Sequence, residues 1–116
     1  MKSIVEEKLV SFKTLEQKVF RYVCELAQEI TRIMLENYDA ELAKERDKSQ
    51  YRDKGKRTTT IKTVYGEVSY VRRVYQTKLE DGRKAYVYLL DEAMHMDKIG
   101  LLSANLAEKI AMTVTE

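Results

Sequence analysis

The sequence has no proline or tryptophan and contains one cysteine and one histidine among its 116 residues. A single cysteine, Cys24, cannot form an internal disulfide and has no second thiolate with which to bind zinc. The one histidine, His95, lies among acidic residues but without the ligand spacing of a known metal site, so we expect no metal and no cofactor. Phosphate-binding glycine loops and nucleophile elbows are also absent, and we predict that this chain alone is not an enzyme.

Long hydrophobic runs are missing as well. No stretch approaches the roughly 18 apolar residues of a membrane span. The first residues lead directly into a charged amphipathic segment rather than into the apolar core of a signal peptide. We therefore expect a cytoplasmic protein with no membrane partner. Its length, with 44% hydrophobic residues, predicts one compact domain with a modest core.

The N-terminal part of the chain has the pattern of a long α-helix. No glycine precedes Gly55, and apolar residues recur at steps of three and four. They are Val5, Leu9, Phe12, Leu15, Val19, Val23, Leu26, Ile30 and Ile33. We predict that this apolar stripe packs on a sheet. Thr14 and Gln17 have the spacing of a capping box, at which a second helix could begin, so the segment forms either one long helix or two helices. Further apolar residues exceed what a small sheet can cover, which predicts a homodimer through this helix.

The middle of the chain has the two-residue period of β-strands. The residues Tyr65-Gly66-Glu67-Val68 predict a type II′ turn in which Tyr65 pairs with Val68, placing Ile61 opposite Arg72. A second turn at Asp81-Gly82 and a strand over 85–90 would complete a three-stranded antiparallel meander.

The predicted fold is α+β, with the long N-terminal helix packed on the meander and a C-terminal helix beside them. We assign residues 1–47 to the helical segment, 48–90 to the basic β-meander, and 91–116 to a loop and a C-terminal helix. Ser103 is the predicted N-cap of that last helix.

Charge is sorted along the chain. Residues 1–47 carry eight basic and ten acidic residues, 48–84 carry eleven and four, and 85–116 carry two and five. The middle third thus has a net charge of +7, which is a hint of a polyanionic partner, although a solvated basic face would look the same. The candidate DNA-binding residues are Lys54, Lys56, Arg57, Lys62 and Arg73. The predicted register places Arg73 with Lys62 on the polar face and Arg72 on the apolar face, where it snorkels or pairs with an acidic residue of the long helix.

Several short motifs in an ordered series strengthen the interpretation as a DNA-associated protein. They are KR-x-TTIKT at 56–63, GEV at 66–68, RR-x-Y at 72–75, YVYLLDE at 86–92 and S-x-NLAEKI from Ser103. The series resembles the N-terminal region of the ISLre-type insertion-sequence transposases of bacteria, a group long catalogued as an uncharacterised protein family. The resemblance implies DNA transposition by an acidic, metal-dependent catalytic domain that lies beyond this segment. We therefore expect an N-terminal piece of a longer protein.

Two function hypotheses of different classes follow from these patterns. In the first, the chain is a transposase module that binds the DNA ends of the element through the basic hairpin. In the second, it is an oligomerisation module that joins transposase subunits without direct DNA contact. A small regulatory protein unrelated to transposition is a third possibility.

Overall fold

A computed structural model describes residues 11–96, and these form an α+β structure, as the sequence predicts. The elements in chain order are α1 (Phe12–Glu45), β1 (Arg52–Thr63), β2 (Gly66–Lys78), β3 (Lys84–Val87) and α2 (Leu89–Ala93). The strands form one antiparallel sheet in the order β1-β2-β3. The C-terminal helix predicted from Ser103 lies outside the described residues.

Helix α1 is long, at 34 residues or roughly 50 Å. Its N-cap is Ser11, whose hydroxyl oxygen accepts a hydrogen bond from the Thr14 N–H at 3.2 Å. At the other end, the N–H of Arg46 donates to the Leu42 carbonyl at 2.9 Å. The described helix therefore has Ser11 rather than Thr14 as its N-cap, and the residues before Ser11 lie outside the description.

The β1–β2 hairpin turns two residues earlier than predicted. Thr63 pairs with Gly66 and Ile61 with Val68, so the turn consists of Val64 and Tyr65. A type II′ turn requires glycine at the first central position, but here Gly66 follows the turn with a φ of +117°. The predicted partners were wrong, yet the predicted faces are correct. Val68 pairs with Ile61, which lies four positions from its predicted partner, Tyr65. A change of register by an even number of residues leaves each side chain on the same face of its strand.

A register shift between Asp53 and Lys56 interrupts the hairpin, and Gly55 lies within it at a φ of +105°. The predicted turn at Asp81-Gly82 is present, with Gly82 at a φ of +86°. The third strand is shorter than predicted. It ends at Val87, and the residues from Leu89 onward enter α2.

The core is small, and the predicted apolar stripe of α1 takes no part in it. The buried cluster consists of Leu35, Ile61, Val68, Tyr70 and Leu90. The stripe residues within the description, apart from the half-buried Leu15, are between 44% and 73% exposed: Phe12, Val19, Val23, Leu26, Ile30 and Ile33. Val5 and Leu9 lie outside the described residues. The prediction that the stripe packs on the sheet was wrong.

The reason is that α1 covers a strand edge and approaches it with polar side chains. Strand β3 pairs only with Tyr75–Lys78 of β2, so that no other strand formed by residues 11–96 lies along the rest of that edge. There the N–H of Val71 donates to the Glu36 carboxylate at 3.0 Å, and the N–H of Arg73 donates to Asp39 at 3.2 Å. Two edge N–H groups are thereby satisfied by helix carboxylates.

At the tip of the hairpin, Gln28 of α1 donates from Nε2 to the Tyr65 carbonyl at 2.7 Å. A Cβ on Gly66 would overlap that amide nitrogen and lie 3.2 Å from Gln28 Cδ. We expect Gly66→Ala to destabilise the protein by about 1 kcal/mol more than Gly82→Ala, because only the first substitution also displaces a hydrogen bond. Gly82 is the matched control, since its φ is also positive and its surroundings are open.

Chemical denaturation of both variants measures this difference. In a Gln28→Ala background the excess cost of Gly66→Ala should vanish. Equal costs for the two glycine substitutions in the wild-type background would contradict the proposed contact.

Candidate nucleic-acid interface

Strand β1 is an exposed, basic edge strand. It carries five cationic side chains and one acidic one, and all six are exposed: Arg52, Asp53, Lys54, Lys56, Arg57 and Lys62. Only one side of β1 is paired within residues 11–96, because β2 is its only neighbour there. None of its five cations forms an ion pair with another described residue. Their charges therefore face solvent.

Of the predicted DNA-binding residues, Lys56, Lys62 and Arg73 share the polar face of the hairpin. Lys56 pairs across the strands with Arg73, and Lys62 pairs with Glu67. Between them, the hydroxyls of Thr60 and Ser69 are joined by a hydrogen bond of 2.7 Å. This face is basic and rich in hydroxyl groups, as the sequence predicts.

Arg73 differs from the two lysines because its charge is already matched. Its Nη1 lies 2.7 Å from Asp39 Oδ2, and its Nε lies 3.9 Å from Asp53 Oδ2. The Arg73 side chain is 21% exposed and that of Asp39 is 3% exposed. The pair anchors α1 to β2, so Arg73 has a structural role whether or not it also meets a phosphate.

Lys54 and Arg57 lie apart from these residues. Arg57 pairs with Arg72, which places it on the opposite face of the sheet from Lys56 and Arg73. Together with Val74, Tyr86 and Tyr88, Lys54 and Arg57 line an open pocket of about 390 Å³. Tyr86 is 62% exposed. The five predicted residues therefore occupy two faces rather than one surface.

Arg72 is buried, as its place on the apolar face predicts. It is 7% exposed, its Nε lies 3.2 Å from Asp91 Oδ1, and its guanidinium carbon stands 3.8 Å from the centre of the Tyr88 ring. The expected acidic partner is present, but it belongs to α2 rather than to the long helix. The prediction named the wrong element because it assigned Leu89 and Leu90 to the third strand and Asp91 to the following loop, so that α2 was not expected.

Two tyrosines of β2 are core residues. Burial, together with a smaller contribution from the nearby Asp91 carboxylate, raises the pKa of the Tyr70 hydroxyl to about 12. Burial also raises the pKa of the Tyr75 hydroxyl, with a smaller contribution from Asp39. Both side chains are at most 1% exposed. They are neutral packing groups at ordinary pH and cannot stack on bases.

A second basic cluster escaped the sequence-based list. Arg52, Lys78 and Lys84 converge on an open pocket of about 460 Å³ between the end of α1 and the far end of the sheet. Lys78 and Lys84 are direct cross-strand partners. The three residues contribute to the charge surplus of the middle third. Grouping them requires the observed β2–β3 register, because a two-residue turn at Asp81-Gly82 would place Lys78 opposite Ala85 rather than opposite Lys84.

The described part of the chain offers little other chemistry. Within residues 11–96, no three His, Cys, Asp or Glu side chains come close enough to hold a metal ion. Over the same range, no helix has both the length and the apolar character needed to cross a membrane.

A comparison with protein-family models matches residues 5–115 to the Uncharacterised protein family (UPF0236). No curated protein and no solved structure matches the chain significantly.

Proposed function

The chain belongs to the Uncharacterised protein family (UPF0236), and we propose that it is the N-terminal, non-catalytic module of a bacterial insertion-sequence transposase that binds DNA. The resemblance of its ordered motifs to those of ISLre-type transposases supports DNA transposition as the activity of the protein to which this module belongs. The DNA contact is made through the basic hairpin, chiefly through β1. The ends of the element are the expected target, and the catalytic domain lies elsewhere in the longer protein.

The observation that carries this proposal is the exposure, on one strand, of five cations that form no ion pair with another residue of 11–96. A protein gains affinity for DNA by placing Lys and Arg against phosphates and releasing the counterions bound there. Carboxylates of α1 and α2 neutralise Arg73 and Arg72. Among the described residues, no carboxylate lies within ion-pair distance of Arg52, Lys54, Lys56, Arg57 or Lys62, although Glu67 is the cross-strand neighbour of Lys62. Phosphate contacts of this kind position a protein on DNA without reading its sequence.

Lys56 and Lys62 provide the cleanest test, because both are exposed on the polar face and neither forms an ion pair in the described structure. We expect Lys56→Gln/Lys62→Gln to reduce the slope of log affinity against log salt by about two, since each lost phosphate contact contributes about 0.9. Fluorescence-anisotropy titration of duplex DNA carrying the element ends, at several salt concentrations, measures the slope.

The matched control is Lys13→Gln/Lys44→Gln, which removes the same charge from exposed positions of α1. That variant should keep the wild-type slope. Absence of binding at low salt would overturn the proposal, as would an equal loss of slope in both variants, because net charge alone would then explain binding.

A second candidate function, joining of transposase subunits, is supported by the apolar stripe of α1 (Phe12, Val19, Val23, Leu26, Ile30 and Ile33). Three more exposed residues flank it: Phe20, Tyr22 and Met34. The stripe spans roughly 32 Å of helix. Nine large side chains, each with on the order of 80–100 Å² exposed, offer roughly 800 Å² for burial, the amount that one partner contributes to a standard interface.

A second copy of this chain is the occupant that best fits the stripe. From Val19 through Val23 and Leu26 to Ile30, the steps are four, three and four residues, which is the same sequence of steps in either direction. An antiparallel copy related by a two-fold axis therefore presents matching spacing to the stripe. We propose a homodimer built on this contact.

Sedimentation equilibrium tests the dimer. The wild-type chain should be dimeric, and Val23→Glu/Leu26→Glu should be monomeric with unchanged helix content, because neither residue is buried within the described protomer. Gln17→Glu/Arg21→Glu adds at least as much negative charge at exposed positions outside the stripe and should remain dimeric. A wild-type monomer at high concentration would contradict this proposal and would mean that no second copy covers the stripe.

A further inference from the structure

Three pairs of cations face each other across the sheet: Lys56 with Arg73, Arg57 with Arg72, and Lys78 with Lys84. Side chains directly opposite on antiparallel strands have Cβ atoms about 5 Å apart, and like charges placed there destabilise the pairing. Negative charge placed beside any of these pairs would relieve the repulsion.

The protein supplies that charge to the first two pairs. Asp39 of α1 lies 2.7 Å from Arg73, and Asp91 of α2 lies 3.2 Å from Arg72. Each of these aspartates is at most 5% exposed and belongs to a helix that packs against β2. In these two pairs, one member is neutralised and the repulsion is relieved.

The third pair has no such partner. Neither Lys78 nor Lys84 forms an ion pair with a described residue, and a third cation, Arg52, lines the same pocket. No acidic residue in the described part of the chain lines it. Its remaining residues are polar and uncharged: Ser49, Gln50, Gln76 and Thr77. Three positive charges and several hydrogen-bond donors thus surround an open volume of about 460 Å³.

We propose that this pocket binds a phosphate group. The negative charge of the phosphate relieves the repulsion between Lys78 and Lys84, as Asp39 and Asp91 relieve it in the other two pairs. Phosphate oxygens accept several charge-assisted hydrogen bonds at once, and the planar guanidinium of Arg52 suits two of them. This inference deepens the proposed function and rests on it for the source of the phosphate, which is the DNA backbone. It adds a phosphate contact at the opposite end of the sheet from the hairpin tip.

Thermal unfolding of the full chain in inorganic phosphate and in chloride of equal ionic strength tests the pocket without DNA. We expect Tm to rise by about 4 °C or more once phosphate exceeds its Kd ten-fold. Lys78→Glu converts the like-charge pair into an attractive one, so this variant should lose the phosphate response while keeping or raising its Tm in chloride. Lys13→Glu, with the same change in charge on α1, should retain the response.

Titration of duplex DNA separates this inference from the proposed function. Lys78→Gln/Lys84→Gln should reduce the slope of log affinity against log salt by about two. This reduction should add to the one caused by Lys56→Gln/Lys62→Gln, because the two sites are independent. If phosphate raises Tm but wild-type protein binds no DNA, the pocket stands with a free phosphate compound as its ligand, and the DNA-binding proposal falls. If DNA binds with an unchanged slope in this variant and phosphate leaves Tm unchanged, the pocket proposal is overturned.

Discussion

The carboxylate of Asp39 determines how the long helix meets the sheet. It is 2% exposed, it accepts the backbone N–H of Arg73 with both oxygens, and it forms an ion pair with the Arg73 guanidinium. A buried carboxylate is costly unless it is paired and hydrogen-bonded, so this arrangement admits few alternatives. Because Asp39 and Glu36 must face the edge of β2, the side of α1 that carries the apolar stripe turns away from the sheet.

The same contacts decide which positive charges remain available to a partner. Helix carboxylates reach Arg72 and Arg73 in the middle of β2, and those two arginines become part of the structure. The cations of β1 and those at the far end of the sheet receive no such partner among the described residues. The molecule therefore has a neutralised centre and a positive periphery, and the periphery is where a polyanion can bind.

The sequence was sufficient to predict α1, the presence of three strands and the faces of the hairpin, but not α2, because residue periods of 3.6 and 2 are local signals. It failed at Gly66, since glycine suits both the predicted turn and the position just after a turn, and only tertiary contact with Gln28 distinguishes the two. The prediction that the apolar stripe packs on the sheet was wrong for a related reason. Hydrophobic periodicity identifies a helix face that avoids water, but it cannot say whether a sheet or another chain covers that face.

The basic site could be predicted in composition but not in arrangement. Lys62 was correctly placed with Arg73 on one face, and the structure adds Lys56 to that face, whereas Arg57 lies on the other. Arg52, Lys78 and Lys84 form a cluster only through the combined registers of three strands.

A double-mutant cycle on Asp39 and Arg73 tests most directly the claim that this ion pair fixes α1 on β2. Unfolding free energies of Asp39→Ala, Arg73→Ala and the double variant give the coupling between the two side chains. The account predicts a coupling of at least about 1.5 kcal/mol, because the pair is largely buried. The exposed pair Glu29–Arg32 should give a clearly smaller coupling in a parallel cycle, because solvent screens both charges. A coupling for Asp39 and Arg73 as small as that of the exposed pair would contradict the claim.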